Sequence, residues 1–203
     1  MTSESTIMFH ELNEIIVNQV IRILNDPSDP HHKLLRDSDF TFDDGLYSQV
    51  YYVGKFLELG KKCIIFVSTK FICDEYTKQK LEITSPNAHK LARCYDYSPY
   101  ATIKQLLKFE EMGGVIGNHS YDHYNFESKH HSIKEIKNAV ELQCKSSTRF
   151  FENYGFSVVD FAYPYNNKVP FYEFYLKQSG VVNFYGNERI NITKILNSCC
   201  FMS

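Results

Sequence analysis

Apolar residues along this chain fall into two kinds of run that alternate. Short continuous blocks predict buried strands: Thr6–Phe9, the stretch through Phe40-Thr41-Phe42, Cys63–Ser68, Val115–Asn118, Phe156–Ala162 and Val181–Tyr185. Between them the spacing becomes helical. Ile15, Ile16, Val20, Ile21, Ile23 and Leu24 predict a helix from Leu12 to Asn25. Leu46, Val50, Val53 and Leu57 predict another, with Gly60 as its stop. Ile103, Leu106, Leu107 and Phe109 mark a third over Thr102–Met112, which Gly113 and Gly114 end. Ser132 and Glu135 form a capping-box pattern that opens a long helix to about Tyr154. Pro170 suits the first turn of a last helix, to about Gln178. Residues 26–32 predict a loop, residues 69–100 an irregular excursion on one face, and the tail from Asn187 is left unassigned.

Strands alternating with helices predict an α/β fold with a parallel sheet, in one domain over residues 1–203. In such folds, loops that follow strands gather at the carboxyl ends of the strands. Three chemically loaded stretches sit there: Asp43-Asp44-Gly45, His119 to His123, and Tyr163 to Asn166.

Composition narrows the function. With 43% hydrophobic residues the chain can bury a core, and a net charge of −2 gives no electrostatic case for nucleic acid. The 6 cysteines include no C-x-x-C pair, which speaks against a zinc ribbon or a thioredoxin-like motif. The first ten residues lack the basic start and apolar run of a signal peptide, and no apolar stretch approaches the roughly 18 residues of a membrane span. The expectation is a cytoplasmic protein with reduced thiols.

Two adjacent carboxylates repel, and a bound cation relieves that. His119 and His123, four residues apart, share a face on a helical turn and can reach one ion. With one carboxylate from Asp43-Asp44 they make a two-histidine, one-carboxylate set with open positions, as at catalytic zinc sites. Other divalent ions suit the same donors. His31 and His32, adjacent in a polar loop, are read as solvated. His10 directly follows the first predicted strand. It would face the same side as Asp43 and His119, is of the residue type that suits acid catalysis at physiological pH, and is the candidate proton donor to a leaving group.

The residues Thr41 to Gly45 (Thr-Phe-Asp-Asp-Gly), His119-Ser120-x-x-His123, and Phe161 to Tyr165 (Phe-Ala-Tyr-Pro-Tyr) resemble three motifs of the polysaccharide deacetylases, the NodB-like group known as carbohydrate esterase family 4. The resemblance covers Thr6 to about Ile190. It implies a distorted (β/α) barrel with fewer than eight strands and a metal-dependent removal of an acetyl group from an N-acetylated sugar or polysaccharide. Carried over by position, Asp44, His119 and His123 hold the metal, most simply zinc; Asp43 is the general base; and the backbone N–H of Tyr165 helps form the oxyanion hole. The chain departs from the family where an arginine, a late histidine and a late Trp-containing motif are usual, and it has no Trp. Ala162 stands where an arginine often orients the base, with Arg189 as a candidate substitute, and no histidine follows His131. Two other readings stay open: a deformylase or other hydrolase of non-peptide C–N amides on the same fold, and a relative that binds a glycan without turnover.

Overall fold

The computed structural model describes residues 5–72, 78–126 and 132–199. Strands β1 (Thr6–Phe9), β2 (Asp39–Phe42), β3 (Cys63–Val67), β4 (Val115–Asn118), β5 (Asp160–Ala162), β6 (Asn183–Tyr185) and β7 (Ile190–Asn191) form one sheet in the order β6-β5-β4-β3-β2-β1-β7. Every pairing is parallel. The edge strands β6 and β7 are joined directly by residues 186–189. So short a link spans at most about 17 Å at roughly 3.4 Å per residue, so the sheet must curl until its two edges approach. The result is the distorted barrel of fewer than eight strands that the resemblance implies.

Helices α1 (Glu14–Asn25), α2 (His32–Asp37), α3 (Tyr47–Tyr52), α4 (Gly54–Glu58), α5 (Ser85–Arg93), α6 (Ile103–Glu111), α7 (Ile133–Tyr154), α8 (Tyr172–Lys177) and α9 (Ile192–Cys199) cover the sheet. Local chemistry sets their ends. The Asn13 side chain accepts from the Ile16 N–H at 2.9 Å, starting α1. Thr102 with Gln105, and Ser132 with Glu135, make reciprocal capping boxes on α6 and α7, and Gly155 at φ 77° ends α7. Phe9, Phe40, Phe42 and Phe56 are fully buried and pack ring on ring between the sheet and α4.

The structure departs from the sequence reading in several places. The helix after Gly45 is two short pieces that break at Val53. The loop at 26–32 ends in an unforeseen helix, α2, and Ile15 points outward at 70% exposure. β5 starts at Asp160 rather than Phe156, because Phe156 turns into the core against Phe151 instead of joining the ladder. The excursion at 69–100 contains α5, and the tail contributes β7 and α9, whose Ile192, Ile195 and Leu196 complete the core. Cys63, Cys94 and Cys144 are free thiols; Cys73, His131 and Cys200 lie outside the described residues. Among the described residues no helix is long and apolar enough to cross a membrane.

Candidate active site

The register of the sheet aligns the strand ends. Phe9 pairs with Phe42, Val67 with Asn118, and Asn118 with Phe161. The residues just beyond these ends therefore meet in one cleft of about 900 Å³, lined by His10, Asp43, Asp44, His119, His123 and Tyr165. All six candidates from the sequence reach it. His31 and His32 do not line it. The His32 ring bonds through Nδ1 to the Ile23 carbonyl at 3.0 Å, closing the end of α1.

The turn after β2 separates the two carboxylates. Asp44 sits at φ 85° and Gly45 at φ 79°. A Cβ on Gly45 would lie 2.8 Å from Val67 Cγ1, so only glycine fits against β3 there. The Gln49 amide donates to the carbonyls of both His10 and Asp43, tying the ends of β1 and β2 together.

Asp43 faces Arg189. The guanidinium donates to Asp43 Oδ1 at 2.6 Å and Oδ2 at 2.7 Å, a bidentate fork with both side chains buried. Arg189 also donates to Asn166 Oδ1 at 2.7 Å and lies 5.7 Å from the Phe66 ring centroid. Burial opposes ionisation of Asp43, but the Arg189 charge, with the His119 ring and the fork's hydrogen bonds, outweighs it and holds the carboxyl below its ordinary value.

Asp44 faces imidazoles. Its Oδ1 lies 3.2 Å from His89 Nε2, 3.3 Å from His123 Nε2 and 3.6 Å from His119 Nε2, while its Oδ2 accepts from the Ser85 hydroxyl. Burial is again opposed, here mainly by His89 and His123, and the carboxyl is held well below its ordinary value. Burial pushes His119 down and His123 down to about 3, so both rings are neutral lone-pair donors. His119 Nδ1 donates to the Ala162 carbonyl at 2.8 Å, which leaves Nε2 as the free lone pair.

His119 to His123 is not a helical turn, contrary to the sequence reading. Ser120 at φ 68° and His123 at φ 53° bend the segment. Asn118 accepts from the Ser120 N–H at 2.8 Å, and Gln143 accepts from the N–H groups of Tyr121 and Asp122 at 3.0 and 3.1 Å. Strained backbone is concentrated here: Asp44, Ser120, His123, Tyr165 (φ 58°) and Asn166 (φ 54°) all have positive φ.

These residues fit a divalent cation. Asp44 Oδ1 is buried without a hydrogen-bond partner among the described residues, a condition that costs about 1–3 kcal/mol unless something else satisfies it. Asp44, His89 and His123 present ligand atoms that all lie within 4.8 Å of one another. His89 escaped the sequence reading. Its signal was Thr84-Ser85-Pro86, a helix start with proline in the first turn, followed by Ala88 and Ala92 on one face.

No family model and no curated protein matches the sequence. Solved structures do match. IcaB from Ammonifex degensii superposes with a TM-score of 0.62 at 17% identity, covering 93% of this chain and 84% of that one. The BpsB deacetylase domain from Bordetella bronchiseptica gives 0.60 at 15%, covering 92% and 93%. BC0361, a polysaccharide deacetylase from Bacillus cereus, gives 0.60 at 10%, covering 96% and 68%. The chain therefore has the fold seen in polysaccharide deacetylases, at low sequence identity.

Proposed function

We propose that the protein is a metal-dependent hydrolase that removes the N-acetyl group from an N-acetylated sugar or polysaccharide. The observation that carries this reading is the division of labour between adjacent carboxylates. Asp43 is held ionised by Arg189, and Asp44 faces a cluster of neutral imidazoles in the same cleft. The deacetylase fold supports the substrate class.

Asp44, His119 and His123 would hold the metal, with zinc the ion that two histidines and a carboxylate suit best. When bound, the ion supplies Lewis acidity and a water of lowered pKa. The chain's own groups do the rest. Asp43 takes the proton from the attacking water. Arg189, gripping both carboxylate oxygens, keeps that base charged and aimed. The Tyr165 backbone N–H donates to the oxyanion that develops on the acetyl carbonyl, a contribution of roughly 3 kcal/mol. His10, which lines the same cleft, gives a proton to the departing amine nitrogen. Arg189 is placed to supply the orienting cation that Ala162 cannot, which supports turnover over a glycan binder, although the family's late histidine has no counterpart after His131.

Acetate release from N-acetylglucosamine oligomers tests the reading. Release by the parent protein and its loss in Asp43→Asn are expected. Release of formate from N-formyl sugars with no release of acetate would instead favour the deformylase reading.

A further inference from the structure

We propose that His89, on α5, is a fourth protein ligand of the ion held by Asp44, His119 and His123. The inference rests on the metal-dependent reading above and adds a donor to it.

The argument is geometric. His89 Nδ1 is 3.1 Å from the Oη of the fully buried Tyr100, which fixes the ring and turns Nε2 into the cleft. Nε2 then faces Asp44 Oδ1 at 3.2 Å, yet both atoms are buried and, among the described residues, neither has a hydrogen-bond partner. Two buried polar atoms aimed at a common point without bonding each other are what an ion between them would satisfy. Asp44, His89 and His123 form a mutually close group within 4.8 Å, with His119 outside that group, and the distances from the carboxylate have the right scale. Ligand bonds of roughly 2.0–2.1 Å put the donors of a tetrahedral zinc site about 3.3–3.4 Å apart. The three imidazole Nε2 atoms lie 3.2, 3.3 and 3.6 Å from Asp44 Oδ1. His89 also stacks on His123, ring centroids 4.3 Å apart and planes 22° apart, which holds the two donors side by side. A second anchor comes from the same helix, since the Ser85 hydroxyl binds the other oxygen of Asp44. The outer partner on His89 completes a familiar arrangement, in which a ligating histidine is held through its second nitrogen.

The consequence is a donor set of three imidazoles and one carboxylate, and the water that the proposed hydrolysis needs would take a fifth position on the ion.

X-ray absorption on the zinc-loaded protein counts the imidazoles. Three are expected in the parent and in Tyr100→Phe, and two in His89→Ala. Competition with a chelator should show zinc held at least about 100-fold more weakly by His89→Ala, above the 10–100-fold typical of an outer-shell partner. Two imidazoles in the parent, or three retained in His89→Ala, would overturn the inference, and the parent count decides even if the variant fails to fold. Zinc bound with two imidazoles leaves the metal-dependent reading intact. A parent that binds no zinc at all removes both.

Discussion

Arg189 reaches Asp43 across 146 positions of sequence and closes both carboxylate oxygens in a buried fork at 2.6 and 2.7 Å. The pair sets the ionisation and the direction of one carboxylate. A lysine could match the charge but not the fork. Since the guanidinium lowers the Asp43 pKa, removing it raises that pKa, and the base form is then lost at higher pH. Arg189→Met should therefore move the acid limb of the pH–rate profile upward and lower turnover by about 10–100-fold, the usual cost of losing an outer-shell partner. An unmoved acid limb would separate Arg189 from the reaction. Arg189→Lys should restore the position of the limb more fully than the rate.

Asp43→Asn should retain the ion and the fold but lose turnover by roughly 10²–10⁴-fold, the worth of general base catalysis. Asp44→Asn should lose the ion. Elemental analysis alongside kinetics checks both, and the opposite pattern would reverse the two roles.

One divalent ion per chain is expected in the purified parent, zinc first. His119→Ala and His123→Ala should each lower its occupancy after dialysis against a weak chelator. If both variants keep the ion as the parent does, the donor set has been misassigned.

His10→Gln should keep the ion while slowing turnover and flattening the alkaline limb of the pH–rate profile, as expected when the group that protonates the amine is lost. Kinetics identical to the parent would leave protonation of the amine to Asp43 or solvent.

Burial pushes the Cys63 and Cys144 thiols up to about 12. An unfolded thiol titrates near 8.5, so the folded state binds the extra proton above that pH. Their contribution to stability is complete below about 8.5 and is lost as pH rises toward 12. The denaturant midpoint should fall between pH 8 and pH 10, and fall less in a Cys63→Ala, Cys144→Ala double variant. At pH 8 a thiol reagent should modify the exposed Cys94 while sparing both.

Much of this was legible in the sequence because it is local. Phe42 followed by Asp43, and Asn118 followed by His119, each join a strand to its chemistry within two residues, and the strand ends align once the sheet is parallel. Arg189 was legible only as a candidate: the fork spans two remote segments, and nothing near residue 189 specifies Asp43 as its target. His89 was hidden for a different reason. α5 lies in a polar stretch and buries mainly small side chains, Ala88 and Ala92, so it has little hydrophobic stripe to read. The bend between His119 and His123 was also invisible, since the side chains that hold it, Asn118 on the Ser120 N–H and Gln143 on those of Tyr121 and Asp122, lie outside the segment.

The short link between β6 and β7 gives the fork a second meaning. Among the described residues the sheet's two edges, β6 and β7, share no strand pairing. Asn166, just after β5, bonds Arg189, which stands at the start of β7. Arg189 is thus a buckle on the barrel as well as the grip on Asp43. Spreading the seam between these edges would pull the guanidinium off the Asp43 carboxylate, so the width of the barrel at that point and the ionisation of Asp43 are tied together.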